Sequence, residues 1–148
     1  MNTQKSTLSR ALKLKADDEE GLTVFSALLQ DAIVPVIGMT HHPKESIFSL
    51  LSYRFRREKK LSLHRKDSLH ERVMCLINIH HVLAAQTKGL KDFFNPNQHL
   101  NLLCIRPQKN HMRFIFSQDI EVLLTIEKIF ALLGDQKAHW PTSFVPVH

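Results

Sequence analysis

The apolar positions along this chain change period more than once, and the changes mark out its elements. Leu12-Lys13-Leu14-Lys15 alternates apolar and charged residues, the signature of a short strand with one wet face. Asp17 then stands where a helix N-cap belongs. Glu20 follows at the capping-box spacing, and Asp18 and Glu19 suit the positive end of a helix dipole. Leu22, Phe25, Leu28, Leu29 and Ala32 recur at helical spacing, so residues 18–30 are predicted to form an amphipathic helix with a buried stripe.

From Ile33 the period falls to two. Ile33 to Thr40 reads as a strand, with Pro35 marking its start or an edge, and the polar, Pro43-containing residues 41–46 read as a hairpin loop. In the next strand Ile47, Ser49, Leu51, Tyr53 and Phe55 share one face, expected toward the core. Ser52, Arg54 and Arg56 share the other, together with Phe48 and Leu50, which suggests cover on both sides at its start. Residues 57–71 are polar and charged and are expected to form a long loop. Val73, Cys75, Ile77, Ile79, His81 and Leu83 then share one parity. That run is too long for one straight strand, so a bulge or bend is expected near His80-His81.

Gly89 ends that segment, and Asn95-Pro96-Asn97 marks a turn. Leu100–Arg106 and Met112–Ser117 read as strands joined by a turn at Pro107-Gln108-Lys109-Asn110, and a further short strand is expected from Ile120. Ile126, Ile129, Phe130 and Leu133 show helical spacing, with Gly134 at the place of a C-cap, so a closing helix is predicted. Every connection within the β region except the 57–71 loop is too short for a helical crossover. The expected class is α+β: a curled antiparallel sheet or partly open barrel of about six to seven strands with one N-terminal and one C-terminal helix. Its element order is similar to that of a pleckstrin-homology-like barrel. The domain is expected over residues 10–135, with irregular tails at 1–9 and 136–148; the second tail carries Trp140 and Phe144.

Composition adds limits. With 148 residues, 43% hydrophobic, the chain has room for one core and too much apolar material for a disordered polyelectrolyte. No apolar run approaches the roughly 18 residues of a membrane span, and the polar start lacks a secretory apolar segment. The reading is cytoplasmic. Cys75 and Cys104 sit in apolar runs without a C-x-x-C partner, so a zinc or redox motif is absent, and they are expected to be small buried hydrophobes; a disulfide between them is open but not supported by the cytoplasmic reading.

Charge is concentrated. Residues 54–72 hold eight Lys or Arg and three acids, net +5 of the chain's +6. Arg54, Arg56, Arg57, Lys59, Lys60, Arg65 and Lys66 are therefore candidates for an anion-binding face, for nucleic acid, an anionic lipid surface or an acidic protein. The competing reading, which weighs more, is a solvated loop protecting a sheet edge.

Other chemistry finds little support. Gly21, Gly38, Gly89 and Gly134 are isolated, which excludes a phosphate-cradling loop, and no G-x-S-x-G elbow is present. The acids fall at a helix start, in loops and at strand ends. Of 10 histidines, His41-His42 and His80-His81 are tandem pairs, which in a strand point to opposite faces and cannot easily chelate one metal. His81 shares parity with core residues and is expected to be a neutral core histidine. A composite site of His42 with His81 is the enzymatic alternative, weighed below scattered surface histidines.

The stretch Leu22-Thr-Val-Phe-Ser-Ala-Leu-Leu-Gln-Asp-Ala32, the run Phe48-Ser-Leu-Leu-Ser-Tyr-Arg-Phe-Arg-Arg-Glu58, and Glu71-Arg-Val73 with Lys88-Gly89 resemble an alphaproteobacterial family, the domain of unknown function numbered twenty-nine forty-eight. The resemblance covers roughly residues 10 to 135, leaves the C-terminal tail outside, and departs where glycines are expected but Ser117-Gln118-Asp119 stands. It implies a bacterial, cytoplasmic protein and carries over no activity, cofactor or catalytic residue. The preferred reading is a non-enzymatic interaction module without a cofactor or metal. Its partner would be a protein, a second copy included, with the basic loop a candidate contact and the unpaired strand edges and the aromatic tail, Trp140 and Phe144, as candidates for dimerisation. The alternative is nucleic-acid or other polyanion binding through residues 54–72.

Overall fold

The structure, a computed structural model, describes residues 12–56, 72–90 and 97–136. The loop expected at 57–71, most of the Asn95-Pro96-Asn97 turn, the tail at 1–9, and Trp140 and Phe144 lie outside the described residues.

The first strand, β1 (Lys13–Ala16), leads into the helix α1 (Glu19–Leu28). The cap is Asp18, one residue later than the spacing predicts: its Oδ1 accepts the Gly21 N–H at 2.8 Å. Glu19 and Glu20 occupy the first turn, where the helix dipole favours them. Leu22, Phe25 and Leu29 are buried, one stripe along the helix. Ser26 accepts the Ile105 N–H at 2.9 Å, tying the helix to a strand far along the chain.

Nine further strands complete the architecture: β2 (Ala32–Pro35), β3 (Met39–His42), β4 (Ile47–Phe55), β5 (Arg72–Ile79), β6 (Val82–Lys88), β7 (His99–Gln108), β8 (His111–Phe116), β9 (Glu121–Ile126) and β10 (Ala131–Asp135). All pairings are antiparallel, in the order β1-β10-β5-β4-β2-β7-β8-β9-β6, with β3 beside the start of β4. The expectation of six to seven strands between two helices is therefore overturned: the described residues form one sheet of ten strands and one α-helix. The pleckstrin-homology-like comparison, which needed a closing helix, falls with it.

The closing helix fails for an identifiable reason. Ile126, Ile129, Phe130 and Leu133 have helical spacing, but they belong to two strands and the bend between them. Val122, Leu124 and Ile126 are buried on β9, and Ala131 and Leu133 on β10, so the period there is two. Strand β10 is paired on both sides, with β1 and with β5, and those ladders supply the backbone partners a helix would have found locally.

The sheet path returns on itself. His80-His81 joins β5 to β6, and residues 127–130 join β9 to β10. Ala131 lies opposite Ile79 on one side of the bends, and Val82 opposite Ile126 on the other. The His80 N–H donates to the Phe130 carbonyl (2.9 Å) and the Glu127 N–H to the His81 carbonyl (3.0 Å), carrying the ladder across. The bend expected near His80-His81 is present, with His81 at φ 59°. It shifts the parity of β6, so Val82 is buried and Leu83, expected inside, is 58% exposed.

Strand β4 faces the opposite way from expectation. Phe48, Leu50, Ser52 and Arg54 are buried, while Ile47, Leu51, Tyr53 and Phe55 are half-buried on the outer face. Both phases of this strand are apolar at its start, so alternation alone cannot choose between them. The choice comes from β5, where Phe48 and Leu50 lie opposite the buried Ile79 and Ile77. On β7 a bulge at Leu103 puts both Leu102 and Ile105 inside and turns Cys104 outward, where it is half-buried.

The final hairpin does without glycine. Gln118 and Asp119 adopt positive φ (63° and 59°), and the Phe116 N–H donates to the Ile120 carbonyl at 2.8 Å. Gly89 lies against this turn with φ +93°, and a Cβ there would stand 2.5 Å from the Asp119 carbonyl oxygen. Gly89→Ala is expected to cost more than about 1 kcal/mol through its φ alone, with the overlap adding to it. Thermal melts followed by circular dichroism would read this as a lower Tm, and an unchanged Tm would contradict it.

Candidate functional site

The reactive side chains that the fold brings together lie inside the sheet. Ser52, Cys75 and Asp135 occupy one cross-strand row of β4, β5 and β10, and Arg54 stands two residues after Ser52 on the same face. Arg54 has no exposed surface, and Asp135 is 8% exposed. Their contact is a two-bond fork: Arg54 Nε donates to Asp135 Oδ1 at 3.0 Å and Nη2 to Oδ2 at 2.8 Å. A third donor, Nη1, reaches the Phe55 carbonyl at 3.0 Å. A buried guanidinium is tolerated because its charge and its donors are met in this way.

Cys75 sits between the two. Burial pushes its thiol up to about 12, the Asp135 carboxylate adds to the rise, and Arg54 works against it. A thiol held neutral is a poor nucleophile and a poor metal ligand. Ser52 directs its hydroxyl to the Cys75 carbonyl at 3.3 Å, closing the cluster on itself. Arg54 and Asp135 therefore hold β4 to β10 across β5, as a structural clasp.

The candidate anion-binding residues are separated by this placement. Arg54, expected on an outward face, is in the core. Arg56 is half-buried, and Arg57, Lys59, Lys60, Arg65 and Lys66 lie outside the described residues. At the far end of the basic segment Arg72 stacks 3.8 Å above the Phe55 ring and donates to the Tyr53 carbonyl at 3.0 Å. Both ends of the segment are thus bound into the sheet, one inside and one outside.

One histidine is also placed differently from expectation. His81 is half-buried at the bend rather than in the core, with the Phe130 ring 6.3 Å away and that of His80 at 6.4 Å. His42 is exposed on β3. Among the described residues no group of three or more His, Cys, Asp or Glu side chains is placed to hold a metal ion. No described helix is long and apolar enough to cross a membrane. Cys75 and Cys104 are both free thiols.

Asp135 escapes a reading of the sequence because helical spacing assigns it to the end of a helix. Its parity with the buried Ala131 and Leu133 is the available signal, as is that of Arg54 with Phe48 and Leu50.

A family profile described as protein of unknown function, DUF2948, matches residues 12–148. The chain belongs to this family. The match runs past residue 135 into the C-terminal tail, which the sequence resemblance leaves outside. No curated protein and no solved structure is significantly similar to the chain. Membership in the DUF2948 family brings no assigned chemistry, so the function has to be argued from the residues.

The clasp has two measurable consequences. Asp135→Asn leaves a buried guanidinium without its counter-charge and is expected to cost about 3–5 kcal/mol, while the double change Arg54→Met with Asp135→Leu recovers most of that loss. Urea unfolding of the three proteins would measure both, and a double variant no better than Asp135→Asn would contradict the account. The raised Cys75 thiol gives a pH dependence. The unfolded thiol ionises near 9 and the folded one near 12. The unfolded chain therefore binds fewer protons in that window, and stability falls with rising pH by up to about 1.4 kcal/mol per unit. Below pH 9 the contribution is fully present. Cys75→Ala should flatten this slope, as read from unfolding curves between neutral and alkaline pH.

Proposed function

We infer that the chain is a cytoplasmic, non-enzymatic interaction module that pairs with a second copy of itself through the outer face of β10, β5, β4 and β2. The observation that carries this reading is the composition of that face. Tyr53 lies opposite Met74 on β5 and Ile33 on β2, and Leu51, on the same face of β4, lies opposite Leu76. Leu132, 39% exposed, stands further along on β10. These side chains point away from the core, where an antiparallel strand facing water usually carries polar residues. Burial already raises the Tyr53 phenol above its ordinary range, so the patch excludes water in part before any partner arrives. Contiguous apolar surface of this kind marks a contact site.

A second copy suits the charges at the rim. Lys13 and Lys15 are exposed on β1, and Asp17, Asp18, Glu19 and Glu20 are exposed immediately after them. A two-fold axis can set the lysines of one copy against the acids of the other. The non-enzymatic part of the reading is supported by the clasp, whose reactive groups face one another in the core. The competing polyanion reading rests on Arg56, Arg57, Lys59, Lys60, Arg65 and Lys66, because Arg54 is engaged by Asp135.

Light scattering coupled to size exclusion tests the proposal. The wild-type chain is expected to show a dimer mass that gives way to a monomer on dilution, and Leu132→Asp is expected to be monomeric with an unchanged circular dichroism spectrum. A wild-type chain that stays monomeric across the concentration range would overturn the reading.

A further inference from the structure

A different part of the outer surface carries an arrangement that the proposed pairing does not use. Arg106 on β7 and Arg113 on β8 are directly opposite in register, so their Cβ atoms lie about 4.5–5.5 Å apart and both side chains leave the same face. Like charges directly opposite are unfavourable in a sheet. Arg106 is exposed and makes no hydrogen bond or ion pair among the described residues. Arg113 has one charged partner: its Nη1 stands 3.5 Å from Glu121 Oε2. That acid lies opposite Lys88 in register on β6. The Nε of Arg113 is closed off from water and has no acceptor.

Arg106 therefore has a fork with unused donors, and Arg113, whose Nε is shut off from water, offers its terminal nitrogens at the cost of one long contact. Besides the Glu121 carboxylate, Leu123 lies opposite Arg113 on β9, and Gln108 and His111 lie opposite each other toward the hairpin end. A planar carboxylate matches one guanidinium fork edge to edge. A tetrahedral dianion, with three terminal oxygens, can accept from two forks approaching from different strands. We propose that Arg106 and Arg113 form a binding site for a phosphate monoester, with the phosphoryl group held between the two guanidinium groups.

The site is independent of the pairing face, so either can fail alone. Inorganic phosphate is the probe, added at constant ionic strength to protein labelled with nitrogen-15 in its arginine side chains. The expected result is a saturable shift of the Arg106 and Arg113 Nε–H signals with a millimolar Kd. In Arg106→Gln the affinity should fall by at least about tenfold. Lys44→Gln, a surface change in the turn before β4, should leave it intact. A drift that does not saturate, or that is equal in wild type and Arg106→Gln, would overturn the site. Acetate is the carboxylate arm, and acetate binding as tightly as phosphate would overturn the phosphoryl assignment. A short single-stranded oligonucleotide that shifts the same signals at lower concentration than phosphate would overturn the monoester in favour of a nucleic-acid backbone. Removing the like-charge opposition should also raise the Tm of unliganded Arg106→Gln, and a lower Tm would mean that Arg106 is a structural residue.

Discussion

The contact on which most of this fold depends joins two residues 81 positions apart: the buried fork between Arg54 and Asp135. Two charges removed from water must meet each other or be neutralised, and here the geometry lets them meet. The fork spans β5, so it determines where β10 lies, and β10 in turn is the neighbour on which β1 pairs. Ser52 and Cys75 fill the rest of that row, and the thiol stays neutral because its surroundings are closed. A polar cluster of this kind favours one register over others, since a strand shifted by one residue would leave a buried charge alone.

The second determinant is the long ladder that β5 and β6 share with β9 and β10. It lets one sheet turn back on itself without an interior helix, so apolar residues from every part of the path meet in a common core. Phe114, Phe116, Leu124 and Ile77 are fully or almost fully buried there, each contributing about 1.5–3 kcal/mol relative to exposure. The bends at His80-His81 and at 127–130 are where this arrangement departs from plain alternation.

The basic segment changes meaning once its ends are placed. Charge counting treats Arg54 and Arg72 as two of eight equivalent cations, whereas the structure gives each a fixed partner. Arg54 completes the interior, and Arg72 covers Phe55 on the outer face. Arg106 and Arg113 carry no signal in the sequence, because their separation along the chain has no meaning until a hairpin sets them side by side.

Much of the fold is legible from local pattern. The helix over Glu19–Leu28, a turn before His111 (although β7 runs on through Gln108, two residues past the expected strand end), the alternation of Met112, Phe114 and Phe116, and the bend at His80-His81 all come from spacing that nearby residues determine. Concentrated positive charge and family membership are also readable without coordinates. Three things are not. The inward phase of β4 is open because both phases are apolar at its start. The last element can satisfy helical spacing and strand alternation at once. The clasp is invisible, because it joins distant strands. In each case the deciding partner lies on another strand: β5 selects the face of β4, β1 and β5 make β10 a strand, and Asp135, across β5, draws Arg54 inside. Local sequence determines what a segment can be, and the choice among those possibilities is made by long-range pairing, where a buried charge or an unpaired backbone group has its largest cost.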